Sequence, residues 1–61
     1  MDENFILEHY DEEENIRVQY YYWCNNGRFY RRTVKENGSI SRIKRISEAE
    51  YIGALEERHN A

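Results

Sequence analysis

Proline is absent from this chain of 61 residues, and the chain has a single cysteine, Cys24. One cysteine cannot form an intrachain disulfide, which excludes the small disulfide-stapled scaffolds of secreted proteins. No apolar run approaches the ~20 residues of a membrane-spanning helix, and the acidic N-terminus is unlike a signal peptide. We therefore expect a soluble, cytoplasmic protein with one domain over residues 1–61.

Side chains that carry chemistry are also scarce. The two histidines, His9 and His59, lie at opposite ends of the chain, and Cys24 has no second cysteine at a metal-binding spacing. The acidic run at residues 11–14 lacks the glycine and the alternating oxygen ligands of a calcium loop. No glycine-rich phosphate loop is present. We expect no enzymatic activity, no metal site and no cofactor.

Charge is divided sharply along the chain. Residues 1–14 hold seven carboxylates and no lysine or arginine, whereas residues 15–46 hold eight cations and one glutamate. Residues 47–61 are again acidic, and the net charge of the chain is −3. Two opposed fields of this size influence the choice of partner without identifying it.

Two Asn-Gly pairs, Asn26-Gly27 and Asn37-Gly38, punctuate residues rich in tyrosine, valine and isoleucine. Asn-Gly between such runs indicates a β-hairpin, because both central residues of a type I′ turn need positive φ. We predict strands over residues 16–24, 28–34 and 39–46, which form an antiparallel meander over residues 16–46. The acidic segment at residues 1–15 includes a charged loop at 11–15, and residues 4–10 form an extra edge strand or a short docked segment.

A helix follows the meander. Ser47 and Glu50 match a capping box, and Ile46 and Tyr51 match the hydrophobic staple that accompanies it. We predict a helix from Glu48 to about Arg58 within a helical region at 47–59. The fold class is thus α+β: a small antiparallel three-stranded meander packed against one C-terminal helix.

The two faces of the meander follow from the turns. If both turns have two residues, one face carries Val18, Tyr20, Tyr22, Cys24, Phe29, Arg31, Thr33, Lys35, Ile40, Arg42, Lys44 and Ile46. The other face carries Arg17, Gln19, Tyr21, Trp23, Arg28, Tyr30, Arg32, Val34, Ser41, Ile43 and Arg45. One helix covers only one face, so the other is wet, paired in a homodimer or used for binding.

In this register Arg31 lies opposite Lys44, and Thr33 lies opposite Arg42. Directly opposed like charges are unfavourable unless an anion lies beside them. That anion is either one of the chain's own carboxylates, or a phosphate, or a carboxylate of a protein partner.

Our first functional hypothesis is a small non-catalytic protein that acts stoichiometrically as an acidic inhibitor. It would block the nucleic-acid-binding or basic surface of a partner protein, as phage anti-defence proteins of the anti-CRISPR type do. Its carboxylates would face the partner's cations, with aromatic side chains as anchors. The candidate carboxylates are Glu8, Asp11, Glu12, Glu13, Glu14, Glu56 and Glu57, and the candidate anchors are Tyr21, Trp23 and Tyr30.

The alternative is a DNA-binding module of a mobile element that uses the cations of the meander. The chain resembles arm-type domains of tyrosine integrases and AP2-like domains in its tyrosines at 20, 21, 22 and 30, in the pair Arg31-Arg32 and in the helix start Ser47-Glu48-Ala49-Glu50. The resemblance covers residues 16–58 and is architectural; it implies that the sheet enters the major groove. The candidate nucleic-acid contacts are Arg31, Arg32, Arg42, Lys44 and Arg45. The pI near 5.3 argues against the DNA-binding hypothesis, because most such domains are strongly basic. Self-association as a homodimer is compatible with both hypotheses.

Overall fold

The computed structural model describes residues 4–60, which form one four-stranded antiparallel sheet and one helix. The sheet has the order β1-β2-β3-β4, with β1 at Phe5–Asp11, β2 at Ile16–Asn25, β3 at Arg28–Lys35 and β4 at Lys44–Ile46. The helix, α1, spans Glu48–His59. The predicted α+β meander with a C-terminal helix is confirmed, and residues 5–11 form the extra edge strand. No helix in this part of the chain is long and apolar enough to cross a membrane.

The first Asn-Gly pair forms the predicted turn between β2 and β3. Asn26 and Gly27 both have positive φ, at 54° and 72°, as a type I′ turn requires. Asn25 then pairs with Arg28 and Trp23 with Tyr30. The predicted register of this hairpin is confirmed.

The second Asn-Gly pair lies in the predicted hairpin, but the two-residue turn assumed there is wrong. Only Gly38 of this pair has positive φ, at 95°, and the Lys35 amide donates to the Ser39 carbonyl at 2.8 Å. Residues 36–38 therefore form a three-residue loop with glycine at its left-handed position. Val34 then bridges Ile40, and Ser41 lies opposite Thr33 in place of the predicted Arg42.

The predicted register returns further along this hairpin. Phe29 pairs with Ile46 and Arg31 with Lys44, as expected. The return requires two residues, Arg42 and Ile43, to stand opposite Arg32 alone, which is the pattern of a β-bulge. The predicted third strand at 39–46 is consequently reduced to Lys44–Ile46. Ile40 moves to the face opposite the predicted one.

The loop between β1 and β2 is organised by Asp11. Its Oδ1 accepts hydrogen bonds from the Glu13 and Glu14 amides at 2.9 and 3.2 Å, and the Asn15 amide donates to its carbonyl at 2.7 Å. Asn15 closes the turn with φ of 59°. The acidic run is thus an ordered, exposed turn whose first carboxylate is used in local hydrogen bonds.

The helix begins as predicted but with half of the capping box. The Ser47 hydroxyl accepts a hydrogen bond from the Glu50 amide at 3.1 Å. The Glu50 carboxylate does not return to Ser47; it accepts a hydrogen bond from Arg31 Nη1 at 3.0 Å. The side chain that would close the cap instead ties the first turn of α1 to β3.

The hydrophobic core lies between α1 and one face of the sheet. Tyr51 is 2% exposed, and its ring contacts Phe5 and Phe29 with centroid distances of 5.4 and 4.8 Å. Phe5 also stacks on Tyr22 at 5.0 Å. The helix therefore covers the face that carries Val18 and Tyr22 and leaves the opposite side of the sheet without a second layer.

Candidate functional site

The open face is the side of the sheet opposite α1, and within residues 4–60 no second layer covers it. Its side chains follow from the alternation along each strand and from the strand register. They are Ile6, Glu8 and Tyr10 on β1, Arg17, Gln19, Tyr21 and Trp23 on β2, Arg28, Tyr30, Arg32 and Val34 on β3, Arg45 on β4, and Ile40 and Ile43 before β4.

The centre of the open face is aromatic. Trp23 and Tyr30 are cross-strand partners whose rings stack with a centroid distance of 5.7 Å and an interplanar angle of 24°. Tyr21 lies one row away, opposite Arg32, and donates its hydroxyl to Gln19 Oε1 at 3.1 Å. The structure therefore brings the three predicted aromatic anchors together at half-buried positions on one face.

Arg32 lies beside these rings, opposite Tyr21 and two residues from Tyr30 along β3. Its Nε atom is buried and has no hydrogen-bond partner within residues 4–60. A buried N–H without an acceptor is costly, because its hydration is lost without replacement. Because this atom is already out of contact with solvent, its unpaired N–H is a cost of the fold and is not by itself a site for a partner.

Three exposed isoleucines flank this centre. Ile6 is 47% exposed on β1, and Ile40 and Ile43 are 63% and 51% exposed on the other side of the sheet. Ile40 and Ile43 line a shallow depression together with Tyr21 and Trp23. Sequence reasoning missed Ile40 here because it assumed a two-residue turn. Gly38 in the sequence indicates a turn, but it does not distinguish a loop of two residues from a loop of three.

Charged side chains surround the apolar centre. Arg17, Arg28 and Arg45 are exposed, and within residues 4–60 none of them forms an ion pair with a carboxylate. The carboxylates on this side are Glu8, which accepts a hydrogen bond from Gln19, and Glu36, whose Oε1 accepts from the Arg17 amide at 3.1 Å. Apart from Arg32, the centre of the open face is therefore apolar, and its rim is charged, with cations in excess.

The remaining predicted cations do not join this face. Arg31 lies on the helix side, where its Nη1 is 3.0 Å from Glu50 Oε2 and its guanidinium lies over the Tyr20 ring. Lys44, its register partner, is exposed on the same side, and Arg42 lies in the bulge. The anion beside Arg31 is thus one of the chain's own carboxylates.

The predicted acidic residues also divide. Glu8 alone belongs to the open face. Glu14 pairs with Lys35 at 2.5 Å, and Glu57 lies 3.4 Å from His9 Nε2. Asp11 holds the turn, and the exposed side chains Glu12, Glu13 and Glu56 form no ion pair within the described part of the chain. Asp2 and Glu3 lie outside the described residues. Most carboxylates therefore lie away from the aromatic anchors.

Two groups on the helix side have perturbed acidity. Burial raises the pKa of the Tyr22 hydroxyl above its usual 10.0, although Arg31 opposes the shift. The hydrogen bond to Glu14 raises the pKa of Lys35 above its usual 10.5. At neutral pH the Tyr22 hydroxyl therefore stays protonated and uncharged, and the Lys35 amine stays protonated and charged. Both states suit structural roles.

Residues 4–60 hold no group of three or more His, Cys, Asp or Glu side chains arranged to bind a metal ion. Comparison of the chain with protein-family models, with curated proteins and with solved structures found no match in any of the three.

Proposed function

We propose that the protein is a small non-catalytic binding protein that acts in the cytoplasm by stoichiometric association with a partner protein through the open face. The observation that supports this function is the arrangement of that face. An aromatic and aliphatic centre lies inside a ring of charged side chains, which is the anatomy of protein–protein interfaces.

The residue types at the centre support the same function. Tryptophan, tyrosine and arginine are the commonest energetic hot spots of interfaces, and Trp23, Tyr30 and Arg32 adjoin one another here. A partner that displaces water from these rings gains from hydrophobic burial. Within residues 4–60 the Arg32 guanidinium forms no ion pair, so it is available to a carboxylate of that partner.

Inhibition of a partner with a basic surface is the finer form of this proposal. Glu8 on the open face and the carboxylates of Glu12 and Glu13, in the turn at one end of the sheet, would meet the partner's lysines and arginines. Glu56 and Glu57 lie on the helix side and would need a second contact. The finer form therefore depends on the turn more than on the helix.

Nucleic acid is the second candidate partner for the same face. Arg17, Arg28, Arg32 and Arg45 form no ion pair with the carboxylates of residues 4–60, which leaves them available to phosphates. Aromatic rings beside such cations also suit base stacking. The exposed isoleucines favour a protein, because a nucleic acid would leave them in water.

The test compares two isoleucines of similar exposure. Ile43 is 51% exposed on the open face, and Ile52 is 44% exposed on α1. Tagged wild-type protein, Ile43→Gln and Ile52→Gln would be used for quantitative affinity capture from extracts of the producing cells. We expect Ile43→Gln to lose the captured partner and Ile52→Gln to keep it. The reverse pattern would assign the contact to the helix and contradict the proposal.

A second measurement separates the two partner classes. Fluorescence anisotropy with mixed-sequence DNA, single-stranded and duplex, would be recorded at about 50 and 200 mM salt. We expect no salt-sensitive binding. Micromolar binding lost in Arg28→Gln and Arg45→Gln, but kept in Arg31→Gln and Lys44→Gln, would establish nucleic acid as the partner.

A further inference from the structure

We infer that the occupant of the open face is a second copy of this chain, packed face to face about a two-fold axis that runs along the strands between β2 and β3. This inference rests on the proposed function, since it names the partner of the same surface. It also specifies the geometry of the contact.

The shape of the molecule supports a second layer on the open face. The Cα atoms span 34 × 26 × 15 Å, so the protein is a slab with two broad sides. A side of this size is comparable with the ~800 Å² that each partner buries in a standard interface. The buried hydrophobic residues, among them Val18 and Tyr22, all belong to the helix side. Domains below about 70–80 residues have small cores, and association is one way in which they gain stability.

The strand register makes the open face complementary to itself. Within one chain, each β2 residue is paired with a β3 residue. A two-fold axis between β2 and β3 places the β2 side chain of one copy over that same β3 residue of the other copy. Tyr21 then faces Arg32, and Trp23 faces Tyr30. These are a cation–π contact and an aromatic contact, and each occurs twice.

Two pairs at the rim also match in this arrangement. Arg17 of one copy comes to face Glu36 of the other, the residue that lies beside it in its own hairpin. Ile6 on β1 comes to face Ile43 beyond β3, so these two isoleucines cover each other, whereas Ile40 comes to face Glu8. Sheets in such packings lie ~10 Å apart and within about 30° of parallel, so the match is closest near the axis.

An axis across the strands would serve less well. If it crossed the middle of the face, it would place Arg32 directly against Arg32 of the other copy. Two guanidinium groups brought together with a buried N–H lacking an acceptor are unfavourable. The axis along the strands avoids this opposition.

Trp23 is the only tryptophan of the chain and lies in the proposed interface, so its emission reports on association directly. On serial dilution of the wild type we expect a red shift of emission. Sedimentation equilibrium should show the same transition, from twice the chain mass of 7.5 kDa to the monomer. Ile43→Gln should weaken the dimer at least about tenfold, whereas Ile52→Gln should leave it unchanged.

Spin labels test the direction of the axis. In a Cys24→Ala chain, a label would be placed by Arg17→Cys and, separately, by Arg28→Cys. Both positions lie near the proposed axis at opposite ends of the sheet, so both same-site distances should be short. With an axis across the strands, the two labels of a dimer would instead lie at opposite ends of the sheet. Both same-site distances would then be long, because each residue along a strand adds ~3.3 Å.

The outcomes separate this inference from the proposed function. A wild type that stays monomeric at several hundred micromolar overturns the second copy. If Ile43→Gln still loses a captured protein in that case, the open face keeps its function with a different partner. If the captured protein is also unaffected, both proposals fail. A dimer that is weakened by Ile52→Gln and not by Ile43→Gln overturns this inference as well.

Discussion

Two adjacent helical residues, Tyr51 and Ile52, should differ widely in their contribution to stability. Tyr51 is 2% exposed and packs on Phe5 and Phe29, whereas Ile52 is 44% exposed. Truncation of a buried aromatic side chain to alanine costs ~3–5 kcal/mol, because contacts are lost and a cavity remains. A domain of this length has a free energy of unfolding of roughly 3–9 kcal/mol in total. Tyr51→Ala should therefore remove most of the stability.

The assay is urea denaturation followed by far-ultraviolet circular dichroism and by Trp23 fluorescence. All chains are measured at one protein concentration, since association links stability to concentration. With a urea dependence of ~1 kcal/mol per molar, Tyr51→Ala should lower the midpoint by ~3–5 M or leave the chain unfolded in water. Ile52→Ala should cost less than ~1 kcal/mol. Equal shifts for the two variants would refute the seating of α1 on the sheet through Tyr51.

Three further outcomes are expected from the same urea assay. Gly27→Ala should lower the free energy of unfolding by ~1 kcal/mol, because φ at Gly27 is 72°. Gly53→Ala, in the helix, should raise it by ~1 kcal/mol. Changes of the same sign would contradict the positive φ inferred for the turn. Ser47→Ala should cost ~1 kcal/mol through loss of the helix cap, and Ser47→Asp, which can still cap, should retain most of the stability. Stability should fall above about pH 10 for two reasons. The pKa of Tyr22 is raised in the folded protein, so the unfolded chain ionises first as pH rises. The pKa of Lys35 is also raised in the folded protein, so its stabilising contact with Glu14 is lost as Lys35 is deprotonated. A midpoint that stays constant from pH 9 to pH 11 would exclude both contributions.

Local signals in the sequence were sufficient to predict which segments form strands and which forms the helix, and to predict the register of the hairpin between β2 and β3. Asn26-Gly27 determines its own turn, because few residues tolerate two consecutive positive φ values. Ser47 marks the helix start, because its hydroxyl satisfies an amide that has no acceptor inside the helix. Both signals act within a few residues, and so they could be recognised without the tertiary structure.

The second hairpin and the charge partners could not be predicted in this way. Asn37-Gly38 allows a two-residue or a three-residue loop, and the preference is decided by pairing further along, at Phe29 and Ile46. Glu50 had a local partner in the capping box but binds Arg31, because the fold brings β3 to the first turn of α1. Tyr21, Trp23 and Tyr30 share one face, as the register predicted, and their role as anchors stays a prediction. Their separation from the carboxylates depends on which face the helix covers.

The loop at residues 36–38 and the bulge at Arg42 and Ile43 have a joint consequence for changes in chain length. The longer loop shifts the alternation of side chains by one residue, and the bulge shifts it back before Ile46 enters the core. Deletion of one residue at either place would turn Ile46 away from Tyr51 and present Lys44 to the wrong side. Deletion of one residue at both places would restore the facing of Ile46. Over evolutionary time, length changes in this segment should therefore be accepted in pairs.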